Sequence, residues 1–242
     1  MKLSEVIESL KQAFDSMKAN KLRALLASLG VVIGISFVIL MGWVLAGLDK
    51  ALEDTINLIG TDMLYVDKWD WAGGKNWKDL RSRKSITLKQ ANALSERMKS
   101  AEYIIPVARK WGNTIKYGTD DLKGISVEGT KSEYGLTPGG TVVEGRFFNQ
   151  TEERTGTKVA VLGYGIYKTL FDEKDAIGKV IKINGHKYWI IGVVKKQATL
   201  LTDFIDQVVY IPFQSFVTQF GINNRSISIA VKAGSEIGRA HV

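Results

Sequence analysis

The sequence predicts an α+β fold carried on one transmembrane helix, and three observations predict it. A stretch of 25 residues without a charge runs from Ala24 to Leu48. Beyond it, short apolar runs bounded by Gly, Asn and Pro signals read as strands, with a few helical stretches between them. No segment repeats at a fixed period, which removes solenoids, propellers and collagen-like arrays.

With 242 residues, 45% hydrophobic and 24% charged, the chain can bury an ordinary core. The formal net charge of +8 admits nucleic acid, anionic lipid or a solvated surface. From Asp49 to Ser235 there are 27 basic and 21 acidic residues with the signs mixed, which favours a solvated surface over a nucleic-acid face. Cysteine is absent, so disulfides, thiolate metal sites and thiol nucleophiles drop out.

As a helix, the Ala24–Leu48 run would span about 37 Å at 1.5 Å per residue, more than the hydrocarbon thickness of about 30 Å. Fourteen of its residues are Leu, Ile, Val or Phe, so insertion is the expected outcome. A signal peptide has a shorter apolar core and a shorter leader. "VLAG" at Val44–Gly47 could serve as a cleavage site, but an uncleaved helix fits better. Lys18, Lys21 and Arg23 precede the run, while Asp49, Lys50, Glu53 and Asp54 follow it. The positive-inside rule therefore puts the N-terminus in the cytoplasm and everything after Leu48 outside. Gly30 and Gly34 are four apart, and steps of four continue through Val38 to Gly42 and Ala46; small residues at that spacing let helix backbones approach closely. They form a candidate packing or dimer face, although glycine is common in membrane helices generally.

Leu3, Val6, Ile7, Leu10, Phe14 and Met17 have the spacing of an amphipathic helix. That predicts a cytoplasmic interfacial helix over residues 1–20, with a targeting helix as the alternative reading. Residues 21–60 then make a transmembrane helix and stalk, closed by Gly60.

Further on, "MLYVD" (Met63–Asp67) reads as a strand, followed by a loop with Trp69, Trp71 and Trp77 that either grips a partner or packs. Thr87 and Gln90 have capping-box spacing ahead of a helix bearing Leu88, Ala91 and Leu94. Tyr103–Ile115 and Leu122–Glu128 read as strands. "KVAVLGYGIYKTLF" reads as a strand and short helix, and "GKVIKINGHKYWIIGVV" as a hairpin turning at Asn184–Gly185. "QVVYIPFQSFVTQF" adds a strand and a helix entered at Pro212, and "SISIAVK" a last strand.

Taken in order, "MKANKLRALLASLGVVIGIS", "LIGTDMLYV", "ITLKQANAL", "VEGT", "EGRFF", "KVAVLGYGIYKTLF", "AIGKVIKINGHKYWIIGV" and "VYIPFQSF" resemble the MacB-like and FtsX-like permease family of ABC transporters. The resemblance covers the first membrane helix and the extracytoplasmic core domain, from about Ser16 to Ala233. It implies a dimeric exporter permease with four membrane helices per subunit and an outer domain between the first and second. That domain would comprise a porter-like α+β part at 61–143 and 207–235, with a small β-rich subdomain inserted at 144–206. The implied partners are a cytoplasmic ABC ATPase, a second permease in a homodimer or a paired permease, and a periplasmic adaptor. The implied location is the bacterial cytoplasmic membrane.

MacB-type members carry an ATPase fused ahead of the membrane helix, whereas no GxxxxGK[ST] loop occurs here. The expectation is no cofactor on this chain and ATP on a separate partner. "EIGRAHV" at 236–242 reads like translated sequencing adapter, a non-native tail ending a C-terminally truncated fragment.

Enzymatic chemistry is thin. Only His186 and His241 occur, so neither a His-based triad nor a His metal site is expected. "GYG" at Gly163–Gly165 starts like a dinucleotide fingerprint but has Lys168 where the third glycine belongs. Glu152, Glu153, Asp172, Glu173 and Asp175 could pair for glycosidase chemistry but read better as solvated loop charges. The leading reading is a permease subunit that transmits ATP-driven motion to an outer domain, and not an enzyme. Its competitor is a signal-anchored single-span protein that binds a ligand or hydrolyses cell wall.

Overall fold

The structure, a computed structural model, describes residues 7–8, 11–12, 18–59, 63–68, 82–197, 203–223 and 225–233. The interfacial helix at 1–20 falls largely outside them. Gly60, the loop with Trp69, Trp71 and Trp77, and the 236–242 tail lie wholly outside. Two units are distinct, Met1–Glu53 and Asp54–Val242.

The long helix α1 (Lys21–Ile59) contains no proline, and its glycines are spaced widely enough for flanking Leu, Ile and Val to carry it. Within it, Lys21–Lys50 is long and apolar enough to cross a membrane. Every large apolar side chain from Leu25 to Leu48 is at least 49% exposed. So much bare apolar surface is stable only against lipid or other helices.

Among the described residues the second unit is built on nine strands. They are β1 (Met63–Val66), β2 (Ala101–Tyr117), β3 (Asp120–Thr130), β4 (Val142–Gly145), β5 (Val159–Leu162), β6 (Val180–Ile183), β7 (His186–Val194), β8 (Val208–Pro212) and β9 (Ser228–Ala233). Their order is β1-β9-β2-β3-β8-β5-β7-β4, with β6 bridging β2 and β7. Because β6 pairs both neighbours, β2, β3, β8, β5, β7 and β6 close into a ring. A six-stranded ring has room inside only for side chains. The alternation of each strand therefore sends Ile115, Val127, Leu162, Ile181, Ile183, Ile190 and Val209 into the main core.

Three helices cap that core: α2 (Leu88–Arg97) through Ala91, α4 (Tyr164–Phe171) through Ile166 and Phe171, and α5 (Phe213–Phe220) through Phe216. The opposite face carries a second cluster around Ile105, Val107, Tyr134, Phe148 and Tyr210. Two 3-10 turns (Ser132–Leu136 and Pro138–Gly140) join it, with Tyr134 buried on the first.

The local signals act as the sequence predicts. Thr87 and Gln90 make the reciprocal cap of α2, and Asn184 and Gly185 turn the β6–β7 hairpin with φ of 48° and 91°. Pro212 stands at the entry of α5, and Gly163 turns β5 into α4. The strands read at Tyr103–Ile115 and Leu122–Glu128 form one longer hairpin, because Gly118 at φ 58° lets the ladder run to the turn. Glu152 and Glu153, read as loop charges, lie in a short helix α3 (Gln150–Thr155) capped by Asn149 and closed by Gly156 at φ 65°.

Candidate functional site

On α1, Gly30, Gly34 and Gly42 have nothing within 4 Å of where a Cβ would stand. Ala46 is equally exposed. At about 100° per residue each step of four advances about 40°, so Gly30 and Gly34 share a face while Ala46 lies about 160° round the helix. Such a row suits a partner that crosses at an angle and meets it over one or two turns. Lys18, Lys21 and Arg23 are exposed at or just before its N-terminal end.

In the second unit, cross-strand register assembles a buried polar group that the sequence does not announce. Arg109 on β2 sits opposite Glu128 on β3, which in turn faces Tyr210 on β8. Arg109 Nε donates to Glu128 Oε1 at 2.6 Å, with the Glu128 side chain 7% exposed and that of Arg109 24%. The Arg109 guanidinium also lies 5.5 Å from the Trp111 ring. The Tyr134 and Tyr210 rings are 5.2 Å apart.

Burial, reinforced by the negative charge of Glu128, pushes both tyrosine hydroxyls far above their ordinary range. Burial works to lower Arg109, but the charge and hydrogen bond of Glu128 outweigh it and hold the guanidinium up. Two positions either side of Glu128 on β3, Ser126 Oγ and Thr130 Oγ1 are buried without a hydrogen-bond partner. This arrangement fixes charge in the middle of the sheet.

The carboxylates do not converge. Glu152 receives two bonds of 2.7 Å from Arg146 and caps α3 at the Asn149 amide. Asp172 ends α4 in a left-handed conformation, with Glu173 and Asp175 in the turn beyond. Among the described residues no three of His, Cys, Asp and Glu come together as a metal site, and His186 is exposed beside its turn.

A family model described as the MacB-like periplasmic core domain matches residues 24–241. The chain belongs to the MacB-like periplasmic core domain family. Its relatives include the macrolide export ATP-binding/permease protein MacB of Wolinella succinogenes, 30% identical over 212 residues that cover 87% of this chain and 32% of that protein. An uncharacterized ABC transporter permease of Bacillus subtilis, YknZ, is 27% identical over 248 residues, covering 97% of this chain and 58% of that one.

The crystal structure of the periplasmic region of MacB from Actinobacillus actinomycetemcomitans matches with a TM-score of 0.61 at 22% identity, covering 78% of this chain and 81% of that one. At that identity the likeness establishes the fold. The chain spans about a third of the length of the macrolide export relatives. The MacB-like match starts inside α1, so helix and outer domain belong to one family unit. A periplasmic-type domain on a helix able to cross a membrane makes this a membrane-anchored chain with an extracytoplasmic domain.

Proposed function

We propose that this MacB-like chain is part of the permease of an ABC-type exporter and works as a mechanical transmitter. The observation that carries the reading is the family match across 24–241, which takes in most of the apolar helix and the outer domain together. In this reading α1 is the first membrane span with Lys18, Lys21 and Arg23 in the cytoplasm, where anionic lipid and the insertion machinery hold them. A cytoplasmic ATPase on a separate chain binds and hydrolyses ATP. The motion passes along paired permease helices, with Gly30 and Gly34 at the closest approach and Gly42 and Ala46 about two and three turns on.

The outer domain handles substrate outside the membrane, alone or with a periplasmic adaptor. Its porter-like part is 61–143 with 207–235, and its inserted part is 144–206. The names of its relatives, one for macrolide export and one for an ABC permease of unstated substrate, support export as the class.

Affinity purification of the tagged chain from membranes of its own cells tests the reading. ATPase activity that co-purifies and is lost when Gly30 and Gly34 are both replaced by leucine is expected if subunit pairing assembles the complex. Recovery of the chain with no ATPase contradicts it.

A further inference from the structure

Three lysines stand side by side on the outside of the strand ring. Lys116 on β2 pairs in register with Lys182 on β6, and Lys182 with Lys187 on β7. Their strand neighbours Ile115, Ile181, Ile183 and Tyr188 are buried, so the alternation turns all three ammonium groups outward. Strands lie about 4.8 Å apart, and like charges directly opposite one another destabilise a sheet. Among the described residues none of the three has a carboxylate within ion-pair distance. Asp121, opposite Lys116 at the end of the row, lies instead 3.9 Å from a fourth lysine, Lys123.

Two further features adjoin the row. Trp189, two residues along β7 from Lys187 and on the same face, is 57% exposed and sits between Val159 and Val180 in register. At the other end a shallow recess of about 410 Å³ is lined by Thr114, Lys116, Asp121, Lys123, Asn184 and Gly185.

We infer that this face docks an acidic polypeptide segment carrying an apolar residue beside its carboxylates. The charge complement of a lysine row is a row of carboxylates, and an exposed tryptophan next to it offers an anchor for an apolar side chain. A purely anionic polymer has nothing for Trp189. A bilayer surface meets protruding groups and does not enter a recess, whereas a single chain does both. The electrostatic strain of the unoccupied row is relieved when the segment binds. Docking on this face depends neither on subunit pairing nor on the exported compound.

The test uses the full chain in neutral detergent and a fluorescein-labelled decapeptide with glutamate at three alternate positions and leucine at the next, read by anisotropy at low salt. Binding that weakens at least about tenfold in the Lys116→Gln, Lys182→Gln, Lys187→Gln triple variant, and also weakens in Trp189→Ala, is expected. The triple variant should melt no lower than the parent, since it removes opposed like charges. Failure of the peptide to bind, or equal affinity for the triple variant, overturns the inference. So does lysine-dependent binding of short-chain phosphatidylglycerol micelles without binding of the peptide, which would make the face a lipid surface.

Discussion

The Glu128 side chain is only 7% exposed, and Arg109 pairs with it. Breaking such a pair by replacing one member typically costs about 3–5 kcal/mol. Because Arg109 retains 24% of its exposure, Glu128→Gln should lose about 2–3 kcal/mol in urea unfolding of the chain. An apolar double replacement, Arg109→Met with Glu128→Leu, should recover most of that loss. The neighbouring tyrosines add a pH dependence. Tyr134 and Tyr210 have folded pKa values raised above the unfolded value of about 10. Their contribution is therefore complete below about pH 10 and is lost as pH rises above it. Stability should hold between neutral pH and about 9 and fall above about 10, and Tyr210→Phe should make that decline shallower. An unchanged decline in the variant would show that the buried tyrosines are not its cause.

At the scale of elements, what could be read from sequence was what neighbours decide. The Thr87–Gln90 box, the Asn184–Gly185 turn and the entry at Pro212 each depend on a few adjacent residues, and each acts as read. The same capping signal at Asn149 and Glu152 went unread, because α3 is six residues long and too short to show an amphipathic period. The glycine spacing on α1 is a local pattern too, and it sets an expectation of close helix contact that only a partner helix can meet. The Arg109–Glu128–Tyr210 row and the lysine row were not legible, since strand register brings their members together from distant parts of the chain. For α1 itself, Gly30 and Gly34 predict a close helix contact. The chain has no cysteine, so Ala27→Cys is a clean reporter of pairing between copies in the membrane. Gly34→Leu should reduce its disulfide cross-linking about tenfold, and undiminished cross-linking would remove this face from the pairing surface.

For the whole molecule, the alternation of apolar residues was enough to indicate a mixed α+β domain on a membrane helix. Closure of the ring through β6 was not legible, because it rests on a short pairing, Ile115 with Ile183 and Lys116 with Lys182, that joins distant parts of the chain. That closure ties β2 to β7 through β6, so strands far apart in sequence share one closed hydrogen-bonded ring. If the proposed transmission occurs, the distance between outer domains in the assembled exporter must respond to nucleotide. In the proposed exporter, assembled in bilayers with a cytoplasmic ATPase, spin labels at Glu96→Cys, exposed on α2, would report the separation between copies of the outer domain. The account predicts a separation that shifts when ATP is trapped on the cytoplasmic ATPase and returns after hydrolysis. One distance distribution, identical with and without nucleotide, would contradict it.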